Sequence, residues 1–200
     1  MRILVVGATG TIGRAVVAAL APRHEIVAAS RRHAPERVDL RDPESIRALY
    51  GRIGPVDAVV SAAGDAAFKP LAELADEDFA QSLGDKLMGQ VNLVRLGLDA
   101  VRDGGSFTLT SGILARAPSP GTAAIALVNA ALEGFTRAAA LELPRGERIN
   151  VVSPPWVSET LAAMGRDPAG GLPAAVVAES YVASVEGRET GRVLEPHRTR

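Results

Sequence analysis

Hydrophobic positions along the chain alternate between short β-branched runs and longer stretches at helical spacing. The short runs predict strands at residues 2–6, 25–30, 55–61, 106–111, 148–153 and 191–194. The longer stretches predict helices at residues 11–20, 43–50, 71–101, 121–143 and 173–185. Because a helix separates most successive strands, we expect parallel pairing through right-handed crossovers. The pattern therefore predicts an α/β fold, in which residues 1–200 form one domain around a single doubly wound parallel sheet with helices on both faces.

Glycine, proline and aspartate set several of the predicted boundaries. Asp42 can cap the helix that begins at Pro43. The pair Gly104 and Gly105 is expected to end the long helix before the next strand. Residues 165–173 form the loosest segment, which we interpret as a lid or a surface loop. Ligands bind outside the carboxyl ends of the strands in open parallel sheets, so we expect the function to lie in the loops at that edge.

Composition excludes several classes of function. The 22 basic and 23 acidic residues give a net charge of −1, so no overall field favours nucleic acid or an anionic membrane. The chain has no cysteine, which excludes disulfides and thiolate metal sites and fits a reducing compartment. No apolar run approaches the 18 or so residues of a membrane span. We expect a cytoplasmic protein with a small-molecule ligand and no metal site.

A glycine-rich turn follows the first strand and opens the first helix. The spacing of Gly7, Gly10 and Gly13 permits a tight turn, a close approach of backbone to a pyrophosphate, and close packing of helix on strand. The N-terminus of the helix adds free N–H groups and a positive dipole end. The alternative is an ordinary glycine turn. We expect the loop to bind a dinucleotide through Gly7, Thr9, Gly10, Thr11, Ile12 and Gly13.

The end of the second strand indicates which dinucleotide is bound. An acidic residue there would accept hydrogen bonds from the ribose 2′-hydroxyl of NAD, but this chain has Ser30, Arg31 and Arg32. Two guanidinium groups and a hydroxyl suit a 2′-phosphate, so we predict NADP(H). The alternative is a solvated pair of arginines. Asp39, followed by Leu40, could accept from the adenine amino group, or it could be a helix-capping or surface residue.

The accumulated motifs resemble those of the short-chain dehydrogenase/reductase family. They are the glycine turn at 7–13, Asp39-Leu40, Ser61-Ala62-Ala63-Gly64, Thr110-Ser111, and residues 130–135 and 149–154. The resemblance covers nearly the whole chain and implies a Rossmann-type fold that binds a nicotinamide cofactor. It also implies hydride transfer to or from a carbonyl or alcohol. By resemblance, the cofactor is also contacted by Ala62, Ala63, Gly64, Lys86, Asn129, Pro154, Trp156 and Val157.

The family's catalytic tetrad of Asn, Ser, Tyr and Lys is altered in this chain. Alignment of residues 120–135 with the family's helix places Ile125 at the tyrosine position and Asn129 at the lysine position. Neither Tyr50 nor Tyr181, the only tyrosines, is followed by lysine at the required spacing.

Two residues remain as candidates for catalysis. Lys86 occupies the position of the family's asparagine and could hold the ribose or donate a proton, since burial lowers the pKa of an ammonium group. The alternative is a lysine that extends from its helix to solvent. Ser111 resembles the serine that orients the carbonyl, although its hydroxyl could instead cap the backbone. Asn129 could bind a ribose hydroxyl.

The loop after the strand at 148–153 corresponds to a family segment that contacts the nicotinamide carboxamide. Pro155 replaces the family's glycine there and removes a backbone donor, so the path of this loop should differ. Trp156 could form a wall of the nicotinamide or substrate pocket, or serve only in packing. Glu159 is a possible acid in the same loop, or a surface residue. The histidines lack metal-ligand spacing and receive no catalytic role.

Three functions are compatible with these residues. The first is an NADP(H)-dependent oxidoreductase that reduces a carbonyl, imine or activated alkene by an atypical route of proton donation. The second is an inactive NADP(H)-binding sensor or partner protein, and the third is a non-redox enzyme in a repurposed pocket. The two long Ala-rich helices, at 71–101 and 121–143, could pack against symmetry mates, so we expect a homodimer or homotetramer.

Overall fold

The structure is a computed structural model that describes residues 1–197. One seven-stranded sheet runs through these residues in the order β3-β2-β1-β4-β5-β6-β7, and every pairing is parallel. The strands are β1 Arg2–Val6, β2 Glu25–Ser30, β3 Glu36–Arg37, β4 Val56–Ser61, β5 Val101–Thr110, β6 Arg148–Val152 and β7 Val193–Leu194. The order reverses between β1 and β4, which is the switch point where ligands bind in sheets of this kind.

Helices cover both faces of the sheet, which confirms the doubly wound α/β fold. They are α1 Thr11–Leu20, α2 Pro43–Ile53, α3 Asp76–Ser82, α4 Gly89–Arg95, α5 Ala123–Ala139, α6 Ser158–Ala163 and α7 Ala174–Glu186. Alternate residues of β1 face opposite layers because side chains alternate along a strand. Leu4 packs in the layer that holds α2, α4 and α5, whereas Ile3 packs in the layer that holds α1 and α7.

The prediction of one long helix at 71–101 was wrong. The segment is divided into a 3₁₀ turn at Leu71–Glu73, then α3, a π-helical turn at Leu83–Met88, and α4. A new helix N-terminus forms at Asp76 because the Asp78 carboxylate accepts the Ala75 N–H at 3.0 Å. The π-helical turn is wider than an α-turn and carries Asp85 and Lys86, both of which are buried.

The glycine pair does not end a helix but lies within β5, which begins at Val101 rather than 106. Gly104 has a φ of +73°, and the β4–β5 register shifts between Val56 and Ala58. A Cβ on Gly105 would lie 2.6 Å from the Asp57 carbonyl oxygen. The glycines therefore form an irregularity in the strand that allows close approach of its neighbour.

Other boundaries differ by a few residues. The side chain of Asp42 accepts the Glu44 N–H at 2.9 Å and caps α2 as expected, but the helix continues to Ile53. Helix α5 is shorter at both ends than the predicted 121–143. The sequence did not predict β3 or α6, both of which are short. No helix within residues 1–197 has the length and apolar character needed to cross a membrane.

Candidate functional site

Two adjoining cavities open at the carboxyl edge of the sheet. The glycine-loop cavity, of about 360 Å³, lies over β1 and β2 and is lined in part by Gly7, Gly10, Ser30, Arg31 and Asp39. The Lys86 cavity, of about 250 Å³, lies over β4 and β5. Both are lined by Ala62, Ala63 and Gly64, so they form one continuous cleft.

The predicted site residues fall largely along this cleft. The glycine-loop cavity contains Gly7, Thr9, Gly10, Ser30, Arg31, Asp39, Leu40, Ala62, Ala63 and Gly64. The Lys86 cavity contains Ile12, Lys86, Ser111, Asn129, Pro154, Trp156 and Val157, together with the three shared residues. Thr11, Gly13 and Arg32 line neither cavity, and Arg32 is exposed.

The glycine turn is a cradle formed by close backbone contacts. Gly7 has a φ of +83°, and a Cβ there would lie 2.6 Å from the Ala62 carbonyl oxygen. A Cβ on Gly13 would lie 1.9 Å from the Gly7 carbonyl oxygen. Helix α1 then begins at Thr11, and among the described residues no side chain caps its N-terminus. Its first N–H groups are therefore available to an anion in the cleft.

The end of β2 presents one hydroxyl and one guanidinium group to the cleft. Ser30 Oγ accepts the N–H groups of His33 and Ala34, at 3.0 and 2.9 Å, and its own proton can still be donated to a ligand. Arg31 lines the glycine-loop cavity, and its Nη1 lies 4.0 Å from Asp85 Oδ2. Arg31 therefore lines the cleft, whereas Arg32 is exposed and lines neither cavity.

Asp39 lines the same cavity with its charge already paired. Both of its carboxylate oxygens accept hydrogen bonds from the Arg41 side chain, at 3.0 and 2.6 Å. The hydrogen bond from Arg41 lowers the pKa of Asp39 below its usual value. Asp39 therefore remains a carboxylate near neutral pH and keeps its acceptor capacity for a neighbouring amino group.

Lys86 is buried, so the alternative of a lysine that extends to solvent does not hold. Its side chain lines the Lys86 cavity, and Nζ lies 3.4 Å from the carbonyl oxygen of Thr110. Gln90 fixes that peptide, because its amide donates to the Thr110 oxygen at 2.9 Å and accepts the Thr110 N–H at 2.8 Å. Burial lowers the pKa of Lys86 to about 8, and the charges of Asp65 and Asp85 partly oppose this shift.

Ser111 lies at the end of β5 and faces a carboxylate that the sequence reasoning missed. Its Oγ donates to Glu133 Oε1 at 3.2 Å and lies 3.5 Å from the Val152 carbonyl oxygen. Glu133 is buried on α5, with Arg116 Nε 3.9 Å from the same oxygen. The sequence feature that could have revealed Glu133 is its spacing. It follows Asn129 by four residues and therefore lies on the same face of the helix.

The altered helix presents an amide and an apolar side chain to the pocket. Asn129 is buried, and its Oδ1 has no hydrogen-bond partner among residues 1–197. Ile125 packs with Ala66, Leu114 and Val128 in an apolar cluster beside it. Buried polar atoms are nearly always paired in native proteins, so the free Asn129 oxygen marks a place where a ligand donor fits.

The loop after β6 closes the far side of the pocket. Trp156 lines the Lys86 cavity, with its ring 6.1 Å from that of Phe68 and the Arg166 guanidinium 5.1 Å from its centroid. Glu159 is not an acid of the pocket, because its carboxylate accepts the Ala174 N–H at 2.9 Å and thereby holds the start of α7. The cavity wall uses Thr160 instead.

Comparison with known proteins identifies the family. The family model described as "Enoyl-(Acyl carrier protein) reductase" matches residues 8–192. L-xylulose reductase of Homo sapiens is 32% identical over 178 residues, which cover 80% of this chain and 73% of that protein. The chain belongs to the short-chain dehydrogenase/reductase family. It is therefore related to oxidoreductases through most of its length.

Other members of the short-chain dehydrogenase/reductase family show how far the likeness extends. The NADPH carbonyl reductase 2 of Sus scrofa is 30% identical, over 83% of this chain and 74% of that protein. Hydroxynaphthalene reductase arp2 of Aspergillus fumigatus is 35% identical over 117 residues, which span only 43% of its length. The whole-chain likeness to reductases therefore rests on the family model and on the relatives with longer matches.

Solved structures of the same family superimpose on nearly the whole chain. Protein lin1944 of Listeria innocua is 42% identical with a TM-score of 0.95, over 98% of this chain and 100% of that chain. A small-chain dehydrogenase in complex with NADPH is 26% identical with a TM-score of 0.86, over 98% and 95% of the two chains. The fold is thus that of a short-chain dehydrogenase/reductase.

Proposed function

We propose that this chain is an NADP(H)-dependent oxidoreductase that reduces a small-molecule carbonyl, imine or activated alkene. Lys86 takes the place of the family's tyrosine as the proton donor. The observation that carries this proposal is the burial of the Lys86 ammonium in a pocket that also contains Ser111 and Asn129. The two tyrosines cannot serve, because both are buried in the core and burial raises the pKa of each far above its usual value.

The residues of the cleft fit a dinucleotide. The backbone cradle at Gly7 and the uncapped start of α1 suit a pyrophosphate, and Ser30 and Arg31 suit a 2′-phosphate. The unpaired Asn129 oxygen suits a ribose hydroxyl. A bound nicotinamide would supply a hydride to the substrate. The NADPH that accompanies one solved relative supports the same choice of cofactor.

Lys86 can supply the proton that balances such a reduction. With a pKa of about 8, the Lys86 amine is protonated in most molecules at neutral pH. It nevertheless releases its proton far more readily than an exposed lysine does. The proton would pass to the oxygen, nitrogen or carbon that gains negative charge when the neighbouring atom accepts the hydride. Solvent then returns the proton to Nζ.

The rest of the Lys86 cavity indicates the size and character of the substrate. Phe68, Leu114, Ile125 and Trp156 give the cavity an apolar wall, and about 250 Å³ holds only a small molecule. Ser111 provides a polar contact at the reacting end. We also propose a cytoplasmic homodimer or homotetramer that packs through α5, where Leu127 is exposed.

Calorimetric titration with NADPH and NADH, followed by an acceptor screen, tests the proposal. We expect the chain to bind NADPH and to oxidise it with an acceptor, and we expect Lys86→Ala and Ser111→Ala to lower turnover about 10²-fold or more. Lys69→Ala is the matched control, since Lys69 is the only other lysine and pairs with Asp78 outside the pocket. Wild-type turnover in the Lys86 and Ser111 variants would refute these roles.

A binding protein without turnover is the second candidate. The apolar cluster around Ile125 favours it, because no acid stands where the family has its tyrosine. NADPH binding without consumption across the acceptor screen, together with NADPH-dependent association with a partner, would select this function over the reductase.

A further inference from the structure

Three aspartates, Asp39, Asp65 and Asp85, line the glycine-loop cavity beside Arg31. Asp39 is neutralised by Arg41. Asp65 accepts hydrogen bonds from the N–H of Ala66 at 3.0 Å and from Gln81 at 3.2 Å. Asp85 differs from both, since its closest ionic contact among residues 1–197 is Arg31 at 4.0 Å.

Asp85 reaches this cavity from the π-helical turn. Asp85 and Lys86 are consecutive on that turn, yet Asp85 lines the glycine-loop cavity and Lys86 lines the adjoining one. Asp85 is largely buried, with its side chain 12% exposed, whereas the Arg31 side chain is 52% exposed. Burial raises the pKa of Asp85, and the charge of Arg31 opposes this shift. The positive charge of Arg31 therefore stabilises the ionised form of this buried carboxylate.

Arg31 is also the group on which recognition of a 2′-phosphate depends in the proposed function. Its charge is partly compensated by Asp85, so it attracts the phosphate less strongly than an unpaired guanidinium would. A 2′-hydroxyl carries no charge and does not depend on this attraction. The cost that Asp85 imposes is therefore specific to NADPH.

We propose that Asp85 is a specificity-determining residue. It competes with the 2′-phosphate for Arg31 and thereby weakens the preference of the chain for NADPH over NADH. This inference rests on the proposed function, in which the cleft binds NADP(H). Asp39 and Asp65 are hydrogen-bonded by other groups, and within residues 1–197 neither forms an ion pair with Arg31.

Calorimetric titrations with NADPH, NADH and 2′,5′-ADP test the assignment without a catalytic assay. In Asp85→Asn, we expect the Kd of NADPH and of 2′,5′-ADP to fall about tenfold, and the Kd of NADH to change less than about twofold. Asp65→Asn is the matched control, since it removes one negative charge from the same cavity but leaves Arg31 paired. We expect it to change the NADPH-to-NADH ratio less than about threefold.

A double-mutant cycle with Arg31 separates competition from simple repulsion. Arg31→Ala should weaken the binding of NADPH and 2′,5′-ADP more than the binding of NADH. When Asp85→Asn is added to Arg31→Ala, the Kd of NADPH should change less than about threefold. An unchanged cofactor ratio in Asp85→Asn, an equal effect in Asp65→Asn, or a full effect without Arg31 would each overturn the inference.

The outcomes also separate this inference from the function on which it rests. Wild-type protein that binds neither NADPH nor NADH would overturn both. Wild-type binding with an unchanged ratio in Asp85→Asn would overturn only the role of Asp85. Asp85→Ser provides a second neutral variant, so a folding defect in one variant, detected by thermal unfolding, leaves the comparison intact.

Discussion

Ser111 Oγ donates its proton to Glu133 Oε1 at 3.2 Å, away from the pocket that the serine lines. Within residues 1–197, the other hydrogen-bond partner of this hydroxyl is the Val152 carbonyl at 3.5 Å, which is also an acceptor. The serine oxygen therefore presents lone pairs to the pocket. A substrate group that donates a hydrogen bond suits this arrangement without any change in the protein, whereas a bare carbonyl requires the hydroxyl to rotate away from Glu133.

Replacement of Glu133 should reveal the strength of this buried pair. We expect Glu133→Leu to reduce the free energy of unfolding by about 1–3 kcal/mol, because it removes the acceptor for Ser111 and the charge that faces Arg116. Glu133→Gln keeps an acceptor oxygen and should lower the free energy of unfolding by about 1 kcal/mol or less. Urea unfolding of the three proteins measures the difference. Equal losses in the two variants would contradict the hydrogen-bond account.

Lys86 should make the stability of the protein depend on pH. Its pKa is about 8 in the folded chain and 10.5 unperturbed, so the folded state disfavours its charged form. The destabilisation is complete below pH 8 and disappears as the pH rises from 8 through 10.5. Lys86→Met should therefore be more stable than wild type by up to about 3 kcal/mol below pH 8, with a gap that narrows at higher pH. Chemical unfolding at several pH values tests this, and a gap independent of pH would contradict it.

The same ionisation should govern the reductive rate if Lys86 donates the proton. Turnover in the direction of reduction should fall about tenfold for each pH unit above 8, because the acid form of the ammonium is lost. Stopped-flow oxidation of NADPH at saturating acceptor, between pH 6.5 and 9.5, measures the profile. A profile that stays flat across pH 8 would exclude Lys86 as the donor.

The fold and the backbone form of the glycine turn could be predicted from sequence because both depend on local patterns. Strand and helix periods differ, and the glycines at 7, 10 and 13 follow a strand and open a helix, so their role follows from backbone sterics. The break in the segment 71–101 could not be predicted in this way. It depends on a π-helical turn, which hydrophobic spacing does not encode.

The residues at the Lys86 end of the cleft could also be predicted only in part. Lys86 and Ser111 could be singled out by position, but the partners of each come from elements distant in sequence. The Thr110 carbonyl accepts from the lysine, and the Glu133 carboxylate accepts from the serine. The sequence allows Glu159 to be either an acid or a surface residue, and the structure shows an exposed carboxylate that holds the start of α7. Tertiary packing decides these contacts, so residue type and spacing alone do not.

The glycine turn allows a matched pair of substitutions. Gly13→Ala should reduce the free energy of unfolding by about 1–3 kcal/mol, since its Cβ would lie 1.9 Å from the Gly7 carbonyl oxygen and must displace backbone. The same displacement should weaken NADPH binding at the start of α1. Gly51→Ala in α2 is the control, because nothing lies within 4 Å of its Cβ. This substitution should raise the free energy of unfolding by about 0.5–1 kcal/mol. Thermal unfolding and calorimetry measure both effects. A Gly13→Ala protein as stable as Gly51→Ala would show that the helix and the strand are not in close contact at this turn.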